Sequence, residues 1–235
     1  MNQTPVSELF SRNIPTLSPG EQNLLRNSHV CIVGQGGLGG TVSEILARTG
    51  IGCLTLVDGD RFEKSNMNRQ LLCSVDVLGE SKVEVAKRRL QSINPELSVH
   101  CGNEYFNIEK AKVIPEKADV IVDCLDKMEH RFMLETAARK LRIPMVSAAV
   151  SGMSGYVTTV FPQDRGLQAL LDNEERLILD RDPESISCLA SIVFLMASLQ
   201  SSEVIKILLK SGQLMRDSLL LVDLAENLFE AFSLD

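Results

Sequence analysis

Residues 29–39 read HVCIVGQGGLG, and residues 53–58 read CLTLVD. The first stretch opens with β-branched and apolar side chains and stops on Gly34, the pattern of a buried strand ending at a turn. Gly34, Gly36 and Gly39 then keep the spacing G-x-G-x-x-G, and a helix is expected over Leu38–Thr49. Glycines at those places allow a tight turn, let the backbone approach an anion, and let helix and strand pack closely. CLTLVD reads as the next strand. Its last residue, Asp58, stands 19 residues after Gly39, where an acid can grip a ribose hydroxyl. Strand, glycine turn, helix, strand and acid together point to an adenosine-containing ligand. They do not separate NAD, FAD, S-adenosylmethionine and ATP.

The alternation continues. An amphipathic helix is expected over residues 80–94, strands over 97–101 and 119–124, a helix over 128–142 and a strand over 144–150. This βαβ rhythm predicts an α/β fold with a doubly wound, Rossmann-like, mostly parallel sheet. After residue 150 the rhythm changes. GYVTTVFP (155–162) reads as an alternating strand, residues 187–210 as a very apolar helix, and 218–224 and 228–234 as two closing strands in a hairpin. We expect a single domain over 1–235. Residues 1–150 form its nucleotide-binding half, and 151–235 a mixed or antiparallel C-terminal half. The 187–210 helix is apolar nearly all round, so it is expected to be buried on every side, in the core or at a subunit interface.

Composition narrows the function. The chain has 235 residues, 44% of them apolar, with no tryptophan and a net charge of −7. An acidic chain is a poor nucleic-acid binder, which needs cations to displace counterions. The longest apolar run, within 189–199, is about half of the ~20 residues that span a bilayer. No membrane role is expected, and with no signal-like N-terminus the chain is expected to be cytoplasmic. The six cysteines include no Cys-x-x-Cys pair and the three histidines no His-x-x-x-His pair, so a structural zinc site has little support.

The segment after Asp58 decides between nicotinamide chemistry and triphosphate chemistry. Residues 58–70 read DGDRFEKSNMNRQ. A helix N-terminus supplies only about half a positive charge. A triphosphate needs further cations beyond that. Asn66, Arg69 and Lys82 come within one βαβ half-unit. Lys82 opens the 80–94 helix, and Asp126, just past the strand 119–124, sits where a Mg²⁺ ligand would. A dehydrogenase needs none of these four together.

In this order CIVGQGGLGG, LTLVDGD, SNMNRQLL, GESKVEVAKRRLQSINPEL, DVIVDCLDKMEHR and SLQSSEVIKILL resemble the MoeB/ThiF/HesA family, bacterial relatives of ubiquitin-activating enzymes. The resemblance covers roughly residues 8–164 and 186–224. It implies an adenylyltransferase that uses ATP and Mg²⁺ to activate the C-terminal glycine carboxylate of a small ubiquitin-like sulfur carrier, releasing pyrophosphate, in thiamine- or molybdopterin-type sulfur transfer. It implies that Gly37 and Asp58 contact the nucleotide, that Asn66, Arg69 and Lys82 hold the phosphates, and that Asp126 holds the metal. FSRNIP resembles the segment whose arginine, here Arg12, crosses a homodimer interface into the partner's site. Arg131 also matches a family position, with support of the fold as its other reading. Cys188 stands where relatives carry a cysteine proposed to attack the adenylate. A helix N-terminus would lower its pKa, and a buried core cysteine is the alternative.

The chain departs from the family in two respects. The family motif DN after the sheet strand reads DK here, Asp126 and Lys127, so no asparagine role carries over. The two Cys-x-x-Cys zinc pairs are replaced by QDRGLQALL and LAENLFEAF, so no zinc is expected. The crossover from Phe161 to Cys188 would then rely on packing of Leu167, Leu170, Leu171, Leu177, Ile178 and Leu179, or be mobile without a partner. Three other readings stay open: adenylation of a peptide or tRNA, a non-catalytic binding subunit, and an NAD-dependent oxidoreductase.

Overall fold

A computed structural model describes residues 7–107, 113–169 and 187–234. Five parallel strands form the first part of one eight-stranded sheet: β1 (His29–Val33), β2 (Cys53–Val57), β3 (Ser98–Gly102), β4 (Val120–Asp123) and β5 (Met145–Ser151). The strand order is β3-β2-β1-β4-β5-β6-β7-β8. β6 (Ser154–Val160), β7 (Ser218–Asp223) and β8 (Leu228–Ser233) continue it antiparallel. The mostly parallel sheet with an antiparallel C-terminal extension agrees with the sequence reading. β1, β2 and β4 are nearly wholly buried, which is why they read as continuous apolar runs rather than alternating ones.

Helices cover both faces. On one lie α1 (Pro19–Arg26), α2 (Gly37–Thr49), α3 (Lys82–Ile93) and the long α5 (Ala190–Leu209). Val42, Leu46, Val83, Leu90, Ile192 and Met196 join Ile32, Leu54 and Val122 in one core. On the other lies α4 (Met128–Leu141), with Leu134 and Ala138 against Cys31, Ile121 and Met145. α2 starts one residue before the expected position and ends on Gly50, whose φ of +94° suits a left-handed cap.

α5 is long and apolar enough to cross a membrane, and within the single chain only its core side is fully buried. Ile192, Val193, Met196, Ala197 and Val204 face the core, whereas Phe194, Leu195, Leu199 and Leu208 are only half-buried.

The described part of the stretch after β6, residues 161–169, combines polar contacts with apolar packing. Arg216 pairs bidentately with Asp164, at 2.6 and 3.0 Å, and stacks over the Phe161 ring at 4.6 Å. Arg139 donates to the Pro162 carbonyl at 2.8 Å, and Glu135 accepts from the Leu167 amide at 3.1 Å. Leu167 is fully buried, as expected; Leu170, Leu171, Leu177, Ile178 and Leu179 lie outside the described residues.

The register aligns the carboxyl ends of the central strands. Val33 pairs with Val57 and with Asp123, and Val57 with Gly102. From β1 the chain steps first to β2 on one side and later to β4 on the other. The crevice at this reversal is where open α/β sheets bind ligands.

Candidate active site

A cleft of about 900 Å³ opens at that reversal. Gly34, Gly36, Gly37, Asp58, Asn66, Arg69, Lys82, Asp126, Arg131 and Cys188 all line it. The sheet therefore brings together the sequence-selected residues, with two exceptions. Gly39 lies beneath the loop as a packing residue. Arg12 is exposed in the short 3₁₀ turn Glu8–Asn13 and does not line the cleft.

The glycine loop owes its shape to close approach. Gly34 has φ +94°, and a Cβ there would meet the Cys124 carbonyl oxygen at 2.5 Å. A Cβ on Gly39 would fall 1.8 Å from the Gly34 carbonyl oxygen, so α2 reaches the end of β1 only because residue 39 lacks a side chain. No side chain caps the start of α2 at Gly36. Its first-turn amides remain available to an anion. A Cβ on Gly37 would strike Val193 of α5 at 2.8 Å, so α5 roofs the loop directly.

Asp58 accepts from the Gln35 amide at 2.6 Å and from the Asp60 amide at 2.7 Å, tying β2 to the glycine loop. Burial pushes its carboxyl up, against the pull of Lys82 and the two amides. Lys82, 5% exposed at the first position of α3, puts its ammonium 2.9 Å from Asp60. The other Asp60 oxygen accepts from Tyr105 at 2.6 Å. Burial opposes ionisation of Asp60, but the Tyr105 and Lys82 contacts more than offset it and hold its carboxyl below the usual range.

Facing this wall is the segment SNMNRQ. The Asn66 side chain is buried and accepts from the Glu63 amide at 3.1 Å, closing a 3₁₀ turn whose carbonyl receives the Arg69 and Gln70 amides. The Arg69 guanidinium lies on the Ser65 carbonyl and the Asn68 side chain, both at 2.9 Å. These neutral partners leave its charge unneutralised. The Asn68 amide donates to the Cys188 carbonyl at 3.4 Å, drawing the start of α5 toward this segment.

Of the two readings of Cys188, the helix-N-terminus one lacks its geometry, because the residue precedes the helix cap at Leu189 rather than sitting in the first turn. Burial pushes its thiol up, and Arg69 offsets this only in part.

Arg131 supports the far wall. It is 4% exposed, donates to Asp123 at 3.2 Å and to the Ala148 carbonyl at 2.7 Å, and also contacts the Leu125 carbonyl. Leu125 returns a bond to Asp123 at 3.1 Å. The loop carrying exposed Asp126 is thus fixed from beneath. No group of three or more His, Cys, Asp or Glu among the described residues could hold a metal alone. A single carboxylate oxygen donor beside a phosphate site nevertheless fits Mg²⁺, which commonly takes one or two carboxylates and completes its shell with phosphates and water.

Sequence reasoning missed Asp60, Tyr105 and Gln70. Asp60 was legible, two residues beyond Asp58. Gln70 is the residue next to Arg69; its Oε1 is buried without a partner among the described residues, and its amide lies beside Gly36. Tyr105 comes from an irregular stretch and left no pattern to read.

A reversal crevice with an uncapped glycine loop, a ribose-side acid and two converging cations defines a Rossmann-type nucleotide-binding protein. The ThiF family profile matches residues 10–235, and the chain belongs to that family. It is 33% identical over 211 residues to the protein HesA of Nostoc sp., covering 90% of this chain and 82% of HesA. It is 36% identical over 208 residues to the molybdopterin-synthase adenylyltransferase of Haemophilus influenzae, covering 86% and 83%. Among solved structures, Escherichia coli MccB with ATP superimposes with a TM-score of 0.85 at 27% identity, covering 99% of this chain and 72% of MccB.

Proposed function

We propose that this ThiF-family adenylyltransferase uses ATP to activate the C-terminal glycine carboxylate of a small ubiquitin-like sulfur carrier. The observation that carries the reading is the convergence of Arg69, Lys82 and the open α2 amides on one cleft beyond Asp58. That arrangement suits a polyanionic tail rather than a nicotinamide. In the proposed reaction a carboxylate oxygen attacks the α-phosphorus, a C–O–P linkage forms, and the bond to pyrophosphate breaks. Two anions must meet, so electrostatic stabilisation by preorganised donors is the largest requirement. Loop amides and Lys82 orient the phosphates, Arg69 screens the developing charge, and Asp58 fixes the ribose. Asp126 would hold Mg²⁺, which when bound adds charge neutralisation at the phosphates. The Asp123–Arg131 pair keeps that loop in place.

The reading includes a homodimer in which Arg12 serves a second copy's cleft; its exposed position away from its own cleft supports this. Zinc has no part in it, since QDRGLQALL and LAENLFEAF stand where the Cys-x-x-Cys pairs would be. The solved complex of MccB with MccA and an ATP analogue favours a second reading, in which a peptide supplies the carboxylate.

The test is ATP–pyrophosphate exchange with a diglycine-ended carrier, followed by mass spectrometry for the carrier adenylate. Arg69→Ala should lower exchange about 10²–10³-fold. Because its contacts are local, thermal stability should barely change. Exchange at the parental rate in the variant would remove Arg69 from the chemistry. Exchange driven only by peptides would select the second reading.

A further inference from the structure

We infer that Tyr105 is a positioning residue for the phosphate-binding lysine, acting through Asp60. The inference rests on the phosphate role of Lys82 proposed above. Lys82 is nearly buried, and Asp60 meets it twice: the Asp60 carboxylate takes the ammonium at 2.9 Å, and the Asp60 carbonyl takes the Lys82 amide at 3.0 Å. Asp60 itself projects from a turn after β2, with nearly half its side chain exposed. A carboxylate so placed can rotate toward water. Tyr105 prevents this by donating its hydroxyl to the second oxygen at 2.6 Å, leaving one oxygen for the lysine. Hydrogen bonds to charged acceptors are short and strong, and two on one carboxylate fix its plane.

The sequence makes room for this contact at one place. A Cβ on Gly59 would lie 2.7 Å from the Tyr105 amide nitrogen and 2.9 Å from its ring. Tyr105 can therefore cross from the end of β3 to the 58–60 turn only because residue 59 is glycine. Tyr105 is 65% exposed as a residue and contributes little burial, so its hydroxyl contact is the part that the fold fixes. Lys82 is thereby set at one point of the cleft wall before any nucleotide arrives, with further N–H donors to offer a phosphate.

Calorimetric titration of the full chain with ATP and with adenosine tests this in four forms: parent, Tyr105→Phe, Lys82→Ala and the double variant. Tyr105→Phe keeps the ring over Gly59 and removes only the hydroxyl. It should weaken ATP about three- to tenfold, the range of one hydrogen bond, and leave adenosine unchanged. In the Lys82→Ala background the same change should have no effect, because coupled residues are not additive. An equal loss in both backgrounds, or a loss for adenosine, would show that Tyr105 acts on the nucleoside and overturn the inference. If Lys82→Ala alone leaves ATP affinity intact, the phosphate role itself fails, and this inference falls with it.

Discussion

Replacing Gly39 by alanine places a methyl 1.8 Å from the Gly34 carbonyl oxygen, 2.8 Å from its carbon and 3.3 Å from the Cys124 Cβ. Two of these neighbours are backbone, so no rotamer relieves the clash. The first turn of α2 must retreat by more than about 1 Å, and overpacking of this kind costs about 1–3 kcal/mol or more. Alanine also gains about 1 kcal/mol over glycine in a helix interior. At Gly39 the clash should win by about 2 kcal/mol, lowering Tm by about 4–8 °C for a chain of this size. The next residue provides the control. A Cβ on Gly40 would meet the Leu72 side chain at 3.2 and 3.3 Å and the Gln35 carbonyl oxygen at an ordinary 3.8 Å, so Gly40→Ala should be near neutral. ATP affinity should divide the two variants further, since a ~1 Å displacement of a binding element can cost up to about 10²-fold in function. Thermal unfolding and ATP titration on both variants measure this. Parental Tm and affinity in Gly39→Ala, or equal damage from both, would refute the close-approach account of the loop.

Arg131→Met should leave the fully buried Asp123 without its cation. Stability should fall by about 3–5 kcal/mol, with part regained in the double variant carrying Asp123→Asn; a single variant as stable as the double would remove the pair from the fold's support. Cys188 should alkylate slowly at neutral pH, because burial raises its thiol pKa and lowers the thiolate fraction, and its rate should climb through the alkaline range. Removing the Arg69 cation should slow it further. Peptide mapping of iodoacetamide labelling against pH measures both effects, and a plateau below about pH 8 would contradict the burial argument.

The parallel half of the sheet was legible because its central strands are buried on both faces and so read as unbroken apolar runs. The glycine spacing exposed the loop for the same reason it works, since only glycine tolerates those approaches. Asn66, Arg69 and Lys82 could be picked out because charged and amide side chains have no packing role in that pattern. The covering of the loop was not legible. α5 is apolar over much of its circumference, so nothing in its sequence indicates that Val193 faces Gly37 while Leu195 is only half-buried. The Tyr105 contact depends on a glycine at 59 and an irregular loop after β3, two positions linked only in space. Of the crossover expected to rely on apolar packing or be mobile without a partner, Leu167 is buried as expected, and the contacts of Arg139 and Arg216 to residues 162–164 were not legible because these arginines come from elements distant in sequence.

The packing of α5 on α2 sets the order in which this chain can mature. Val193 and Ile192 come from a segment that leaves the ribosome long after α2, with the whole of β3 to β6 in between. Until then the apolar flank of α2 has no lasting cover, and the phosphate loop has no roof. Contacts so distant along the chain carry a large loop-closure penalty and form late. The cleft therefore unites elements far apart along the chain, and its covering by α5 waits on the long-range docking of that helix against α2.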